Sequence, residues 1–246
     1  MGWLIGFILL VVCWQVISRN TLWFLVWDAP KHVADFVARM FPPRWGYINE
    51  LWLPLWDTFN IATLGTLLAV LIAIPLSFLA AQNTTPHPIV RQAALFVIVT
   101  SRTINSLIWA LILVALLGPG SLAGMFAIML RSVGFVGKLL YEQIEEISRE
   151  PVEAITATGA SPAQVLSYGI VPQVLPAFVG ISVFRWDINI RESAVLGLVG
   201  AGGIGMKLES SVNSLQWFQV SVIFACIFLM VFASEWVSAR IRKAII

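Results

Sequence analysis

"FRWDINIRESAVLGLVGAGGIGMK", residues 184–207, is the stretch on which the reading of this chain turns. It places Arg185, Asp187, Arg191 and Glu192 within eight residues, in a chain that is 59% hydrophobic and only 11% charged. Soluble domains carry about 25% charged residues, whereas the mean hydropathy here is +0.88, so the solvent for most of the chain is a bilayer. At the bilayer centre each unpaired charge costs about 2.5–3.5 kcal/mol, and four of them roughly 10–14 kcal/mol. A helix starting at Pro172 would put Arg185 roughly 20 Å along its axis, deep in the hydrocarbon. Counting about 100° per residue from Arg185, Asn189 and Glu192 lie near 40° and 340°, while Asp187 and Arg191 lie near 200° and 240°. Each face is formally neutral, Arg185 with Glu192 and Asp187 with Arg191, the second pair at the i, i+4 spacing that allows direct contact. Such a helix is expected to be buried on both sides, one face on a neighbouring helix and the other toward a pathway or a second subunit.

Outward from this segment, crossing the hydrocarbon takes about 20 apolar residues, and six stretches qualify: 2–27, 58–81, 93–117, 121–140, 172–199 and 218–237. They fill the chain as one transmembrane domain over 1–246 and leave no room for a soluble domain. The first stretch lacks the basic n-region and small-residue cleavage site of a signal peptide, so it is expected to be retained. Between the first two spans, Val33, Phe36, Val37, Met40 and Phe41 share one helical face opposite Lys31, Asp35 and Arg39. That pattern predicts a helix lying along the membrane surface and stopping at Pro42-Pro43. Tryptophans near several span ends suit the interface. Cys13 and Cys226 have no metal-site or redox spacing and are expected to be packing residues. Counting Lys and Arg on alternate loops gives six against five, which leaves orientation open; "ARIRK" at 239–243 favours a cytoplasmic carboxyl end.

"GAGGIG" at 200–205 matches G-x-G-x-x-G, but no Asp or Glu follows about 20 residues later, and there is no βαβ context. The glycines Gly197, Gly200, Gly202, Gly203 and Gly205 are expected instead to form a close-packing hinge or loop after the fifth span. A phosphate-binding loop is also missing: Gly137-Lys138 is followed by Leu139, and Ser132 stands where a glycine is required. Any ATP used must be hydrolysed on another chain.

The only extended polar stretch after Arg44 is 141–172. Pro151 suits the first position of a short helix, Gly159 a left-handed helix end, and Ser161 with Gln164 a capping box for a second helix. "VEAITATGASPAQVLSYGIVP" resembles the cytoplasmic loop of permease subunits of bacterial binding-protein-dependent ABC importers, on Glu153, Ala154, Gly159 and Pro172; Ile155 departs from the usual Ala. Over 102–206, "RTINSLIWALI", "GPGSLAGM", "PQVLPAF" and "RWDINIRESAVLGLVGAGGIG" resemble the phosphonate branch, which includes importers of phosphite and hypophosphite.

The resemblance implies an all-α, six-helix type I importer permease with an interfacial helix and a cytoplasmic coupling helix in loop 141–171. In it Glu153, Ala154, Thr158, Gly159, Ala160, Ser161 and Pro162 would meet the ATPase. It implies a homodimer, two ATPase subunits that carry ATP and Mg, and a periplasmic or extracellular substrate-binding protein. It also implies a multi-pass place in the bacterial inner membrane with both termini cytoplasmic, no cofactor on this chain and no nucleic acid.

A phosphorus oxyanion accepts bidentate hydrogen bonds from guanidinium groups. Arg102, Arg185 and Asn189 are therefore candidates for a polar passage, with Asn105 and Ser106 near Arg102 and Arg131 in the fourth span. Asp187, Arg191 and Glu192 would balance charge and fix packing. The alternative for all of them is a set of structural ion pairs with no ligand contact. Other functional readings are an ABC permease for another solute such as an amino acid, an ion-gradient-driven transporter, and an intramembrane enzyme, for which the sequence offers no paired His, metal cluster or activated Ser.

Overall fold

The computed structural model describes residues 2–245, and they divide into two units, Met1–Pro43 and Arg44–Ile246. All regular structure among the described residues is helical.

The first unit holds α1 (Gly2–Asn20) and α2 (Trp23–Met40). The apolar run does not continue as one helix to Trp27. It breaks at Thr21–Leu22, where Thr21 Oγ1 donates to the Ile17 carbonyl and the Trp23 indole N–H reaches Ser18. Residues 23–27 thus open the amphipathic helix α2, which begins well before Lys31 and ends at Met40, ahead of Pro42. Cys13 is exposed on α1 rather than packed, which corrects its reading as a packing residue; Cys226 is half-buried.

The second unit is built around α3 (Ile48–Ala80), α6 (Ser121–Glu145) and α9 (Val171–Leu196), with α11 (Trp217–Ile245) against α9. Helix α3 is about 50 Å long at 1.5 Å per residue. Its buried side is a row of small residues, among them Thr58, Ala62, Gly65, Thr66, Ala69, Ala73, Ser77 and Ala80, and α6 answers with Ala123, Gly124, Ala127, Ser132 and Gly137. In lipid, where apolar surface gives no drive for helices to associate, small residues let backbones approach and dispersion contacts accumulate. The outward surfaces carry Leu64, Leu67, Leu71, Phe228, Leu229 and Phe232, all exposed.

Among the described residues five helices are long and apolar enough to cross a membrane, and α4 (Pro88–Thr103) and α5 (Ser106–Leu117), bent by 89° at their junction, reach that length and hydropathy only together, as one broken span or a re-entrant loop. The run 93–117 is therefore two helices rather than one straight span. Asn105 causes the break: its side-chain oxygen accepts from the Leu107 N–H and caps α5, offering the backbone a partner that continuing α4 would not need.

The polar loop forms α7 (Arg149–Ala157), a left-handed Gly159 (φ 78°), α8 (Pro162–Gln164) and a π-helical stretch Val165–Ile170 leading into α9. The Ser161 N–H donates to Gln164 Oε1 at 2.8 Å within a capping box. Pro151 sits third in α7, not first, because Ser148 is the cap.

After α9, a 3₁₀ turn Gly197–Val199 and the glycine segment fold back into α10 (Ile204–Asn213). Gly203 has φ 73°, and a Cβ there would lie 2.5 Å from Thr58 Oγ1. A Cβ on Gly205 would strike the Ala194 carbonyl and come within 2.7 Å of Gly197 Cα. Gly205→Ala should therefore overpack this joint by about 1–3 kcal/mol and lower the thermal midpoint of the purified protein. Gly46→Ala, with no atom within 4 Å of the added methyl, should leave the midpoint unchanged.

Candidate functional site

Helix α9 carries its charges into the middle of the second unit. Arg185 is 1% exposed, Asp187 3% and Asn189 0%, so the burial on both sides that the charge pattern demands is supplied within the protomer by α3, α6 and α11.

The first face centres on Arg185. Its guanidinium lies 3.3 Å from Glu192 Oε2, two helical turns on, and its Nε donates to Ser132 Oγ of α6 at 2.9 Å. The Phe135 ring lies 5.0 Å from its Cζ, a cation–π contact that helps desolvate the charge. Asn189 on the same face donates to Thr66 Oγ1 of α3 at 2.7 Å and to Ser132 Oγ at 3.0 Å. One hydroxyl on α6 thus bridges both polar residues of α9, and Asn189 carries the network on to α3.

On the opposite face, Arg191 pairs directly with Asp187, and the other Asp187 oxygen accepts from Ser234 Oγ of α11 at 2.7 Å. The Asp187 side chain is almost fully covered while Arg191 is about half exposed.

Glu192 also faces Arg131 of α6, whose Nε stands 3.7 Å from Oε1. The cluster is therefore Arg131, Arg185 and Arg191 against Asp187 and Glu192, three positive charges to two negative. Arg131, Arg191 and Glu192 line an open concavity of about 510 Å³ together with Asn105, Ser106, Ile108 and Val195. Arg185 and Asn189 are sealed beneath its wall. Arg102 ends α4 at the bend, exposed, and does not line the concavity or join the ion pairs. Sequence reasoning missed Thr66, Ser132 and Ser234, the hydroxyls that satisfy this core. Their trace in the sequence is faint: Ser and Thr recurring on the small-residue faces of apolar helices.

At the other end of α9, the coupling candidates stand clear of the core. Glu153, Ala154, Thr158, Gly159, Ser161 and Pro162 are exposed and Ala160 half-buried, and α7 has no buried residue. Gln173 closes the base of this loop, accepting from the Ser148 N–H at 3.1 Å and donating to the carbonyls of Ser148 (3.3 Å) and Gly169 (2.6 Å). The root of α6 is tied as well: Glu145 accepts from the Gln82 N–H at 2.8 Å, and Asn83 Nδ2 donates to the Ile144 carbonyl. The polar hairpin is thus fastened to the base of α9 by Gln173 and packs Val152 and Leu166 against the apolar cluster that includes Ile144 of α6.

An apolar bundle with a solvated helical hairpin rigidly rooted in its charged helices is the layout of a membrane subunit worked from outside. Residues 73–245 match the family described as the binding-protein-dependent transport system inner membrane component. The chain belongs to that family. It is an inner-membrane permease subunit, of the phosphite and phosphonate branch. The phosphite transport system permease protein PtxC of Stutzerimonas stutzeri is 37% identical over 96% of this chain and 85% of its own length. The phosphate-import permease protein PhnE of Mycolicibacterium smegmatis is 37% identical over 89% of this chain and 41% of that longer relative. The fold of this permease is that of type I importer subunits: a chain of the MetNI methionine ABC transporter in an inward-facing conformation superposes with a TM-score of 0.68 at 19% identity, covering 80% of this chain and 96% of that one.

In this permease Asn189 links Thr66 to Ser132, which in turn accepts from Arg185, so truncating it leaves the buried hydroxyls of Thr66 and Ser132 poorly matched. Asn189→Ala should cost about 1–3 kcal/mol and lower the thermal midpoint of the purified permease. Thr103→Ala, which removes only an exposed bond to the Val99 carbonyl, should not.

Proposed function

We propose that this chain is the membrane passage of an ATP-driven importer for a small phosphorus oxyanion, with phosphite, phosphonates and phosphate as the substrate class. The observation that carries this reading is the 37% identity to a phosphite permease across 96% of the chain. The surplus of guanidinium over carboxylate at the open concavity agrees with an anionic cargo.

The importer would comprise two copies of this chain, two ATPase subunits that bind ATP and Mg, and a binding protein that delivers the oxyanion from outside. The exposed hairpin of α7 and α8, with Glu153 and Ala154 on its helix and Gly159 to Pro162 at its turn, would seat on the ATPase on the cytoplasmic side, and both chain termini would lie on that side. Its fastening through Gln173 and the packing of Val152 and Leu166 on the cluster with Ile144 support motion as one lever, since a floppy linker would absorb the displacement. Arg185, Asp187 and Asn189 serve as the neutralised core of the moving helix. Arg131, Arg191, Asn105 and Ser106 form the wall of the passage, and Arg102 lies on the bend beside it.

The test is reconstitution of the chain with its ATPase and binding-protein partners in proteoliposomes. ATP-dependent uptake of phosphite or a phosphonate, competed by members of the same class and not by amino acids, is the expected result. Uptake driven by an ion gradient without ATP, or uptake of an amino acid alone, would overturn the proposal.

A further inference from the structure

We infer that the concavity between α5, α6 and α9 is a transient oxyanion station built on Arg131 and Arg191, in which Glu192 acts as a built-in competitor that the cargo displaces from Arg131. This rests on the importer reading above and deepens it by naming the groups that touch the cargo.

The donors are only partly used. Arg131 meets Glu192 through Nε at 3.7 Å, an ion-pair distance beyond a hydrogen bond, and among the described residues has no other charged partner. Arg191 commits one nitrogen to Asp187 and keeps about half of its side chain exposed. A guanidinium has five N–H donors in a planar fork, so both residues present unspent donors toward the same open space of about 510 Å³. Asn105 lines that space too; its oxygen caps α5, and its amide nitrogen makes no hydrogen bond among the described residues.

The carboxylates are placed asymmetrically. Asp187 is enclosed and doubly bound, by Arg191 and Ser234, and cannot reach the concavity. Glu192 is partly exposed on the concavity wall and has two cationic neighbours, Arg185 behind it at 3.3 Å and Arg131 in front at 3.7 Å. If an oxyanion takes Arg131, Glu192 is still neutralised by the buried Arg185, so displacement strands no charge. Without Glu192, two arginines facing a dianion in a partly desolvated space would hold it tightly, because charge-assisted bidentate pairs are the strong ones. A carrier must release its cargo, and an internal anion that competes for the same guanidinium keeps the site weak.

The experiment titrates phosphite into the assembled permease–ATPase complex, with the ATPase sites filled by ADP and no binding protein present, and follows ³¹P line broadening. Glu192→Gln should bind phosphite about tenfold more tightly than the unaltered complex and show a lower maximal rate of ATP-driven uptake. Arg131→Gln and the double variant Arg131→Gln/Glu192→Gln should lose the broadening. Unchanged or weaker binding by an assembled Glu192→Gln complex would overturn the proposal, as would a double variant that binds as tightly as Glu192→Gln alone. If Glu192→Gln does not assemble, Arg131→Gln decides alone, since it leaves the Arg185–Glu192 pair in place: lost broadening supports the station, and retained broadening removes it. Transport of phosphite without this binding pattern removes the station and leaves the importer; the binding pattern without oxyanion transport removes the importer reading.

Discussion

The structure depends on neutralising charge inside one apolar helix. Helix α9 takes Arg185, Asp187 and Asn189 below the surface, with Arg191 and Glu192 at its edge, and α3, α6 and α11 each supply a hydroxyl partner that makes this tolerable: Thr66, Ser132 and Ser234. Since lipid offers no substitute partner, these contacts dictate which helices must surround α9 and at what rotation. The small-residue stripe of α3 follows from the same demand, for only close backbones let a threonine or serine side chain reach across.

That internal bookkeeping leaves one guanidinium in excess, and the excess stands where the bundle opens. The bend between α4 and α5 is part of this arrangement. Asn105 ends one helix and caps the next, so α5 begins at the concavity rather than passing it as a straight span. At the far end, Gln173 ties the polar hairpin to the root of α9, and Glu145 ties the root of α6 to the loop after α3. In the proposed importer, displacement of the hairpin would be passed to α9, whose Arg191 and Glu192 line the concavity.

Much of this was legible in the residues. The neutral pairing of Arg185 with Glu192 and of Asp187 with Arg191 follows from helical angle alone, and the left-handed Gly159 and the Ser161 capping box follow from local rules that tertiary packing did not override. The bend at Asn105 was hidden because hydropathy averages over a run and cannot see one side chain capturing a backbone N–H. The break at Thr21–Leu22 was hidden for the same reason. That Arg131 would share Glu192, and that Arg185 would be sealed in while Arg191 stayed half open, depends on which helices pack against each face, information that no single helix carries. Cys13 and Cys226 looked alike in sequence, yet only Cys226 is partly covered.

The central claim is that the concavity is a watery space with a net positive wall. Its most direct test is thiol chemistry at Val195, which is 49% exposed and lines it, as Val195→Cys in the assembled importer with Cys13 and Cys226 replaced by Ser. Rates of modification by small anionic and cationic methanethiosulfonates are compared, each normalised to a free thiol. The account predicts ready modification with the anionic reagent favoured several-fold, a preference that shrinks at high salt. No reaction with either reagent, or a preference for the cationic one, would contradict it.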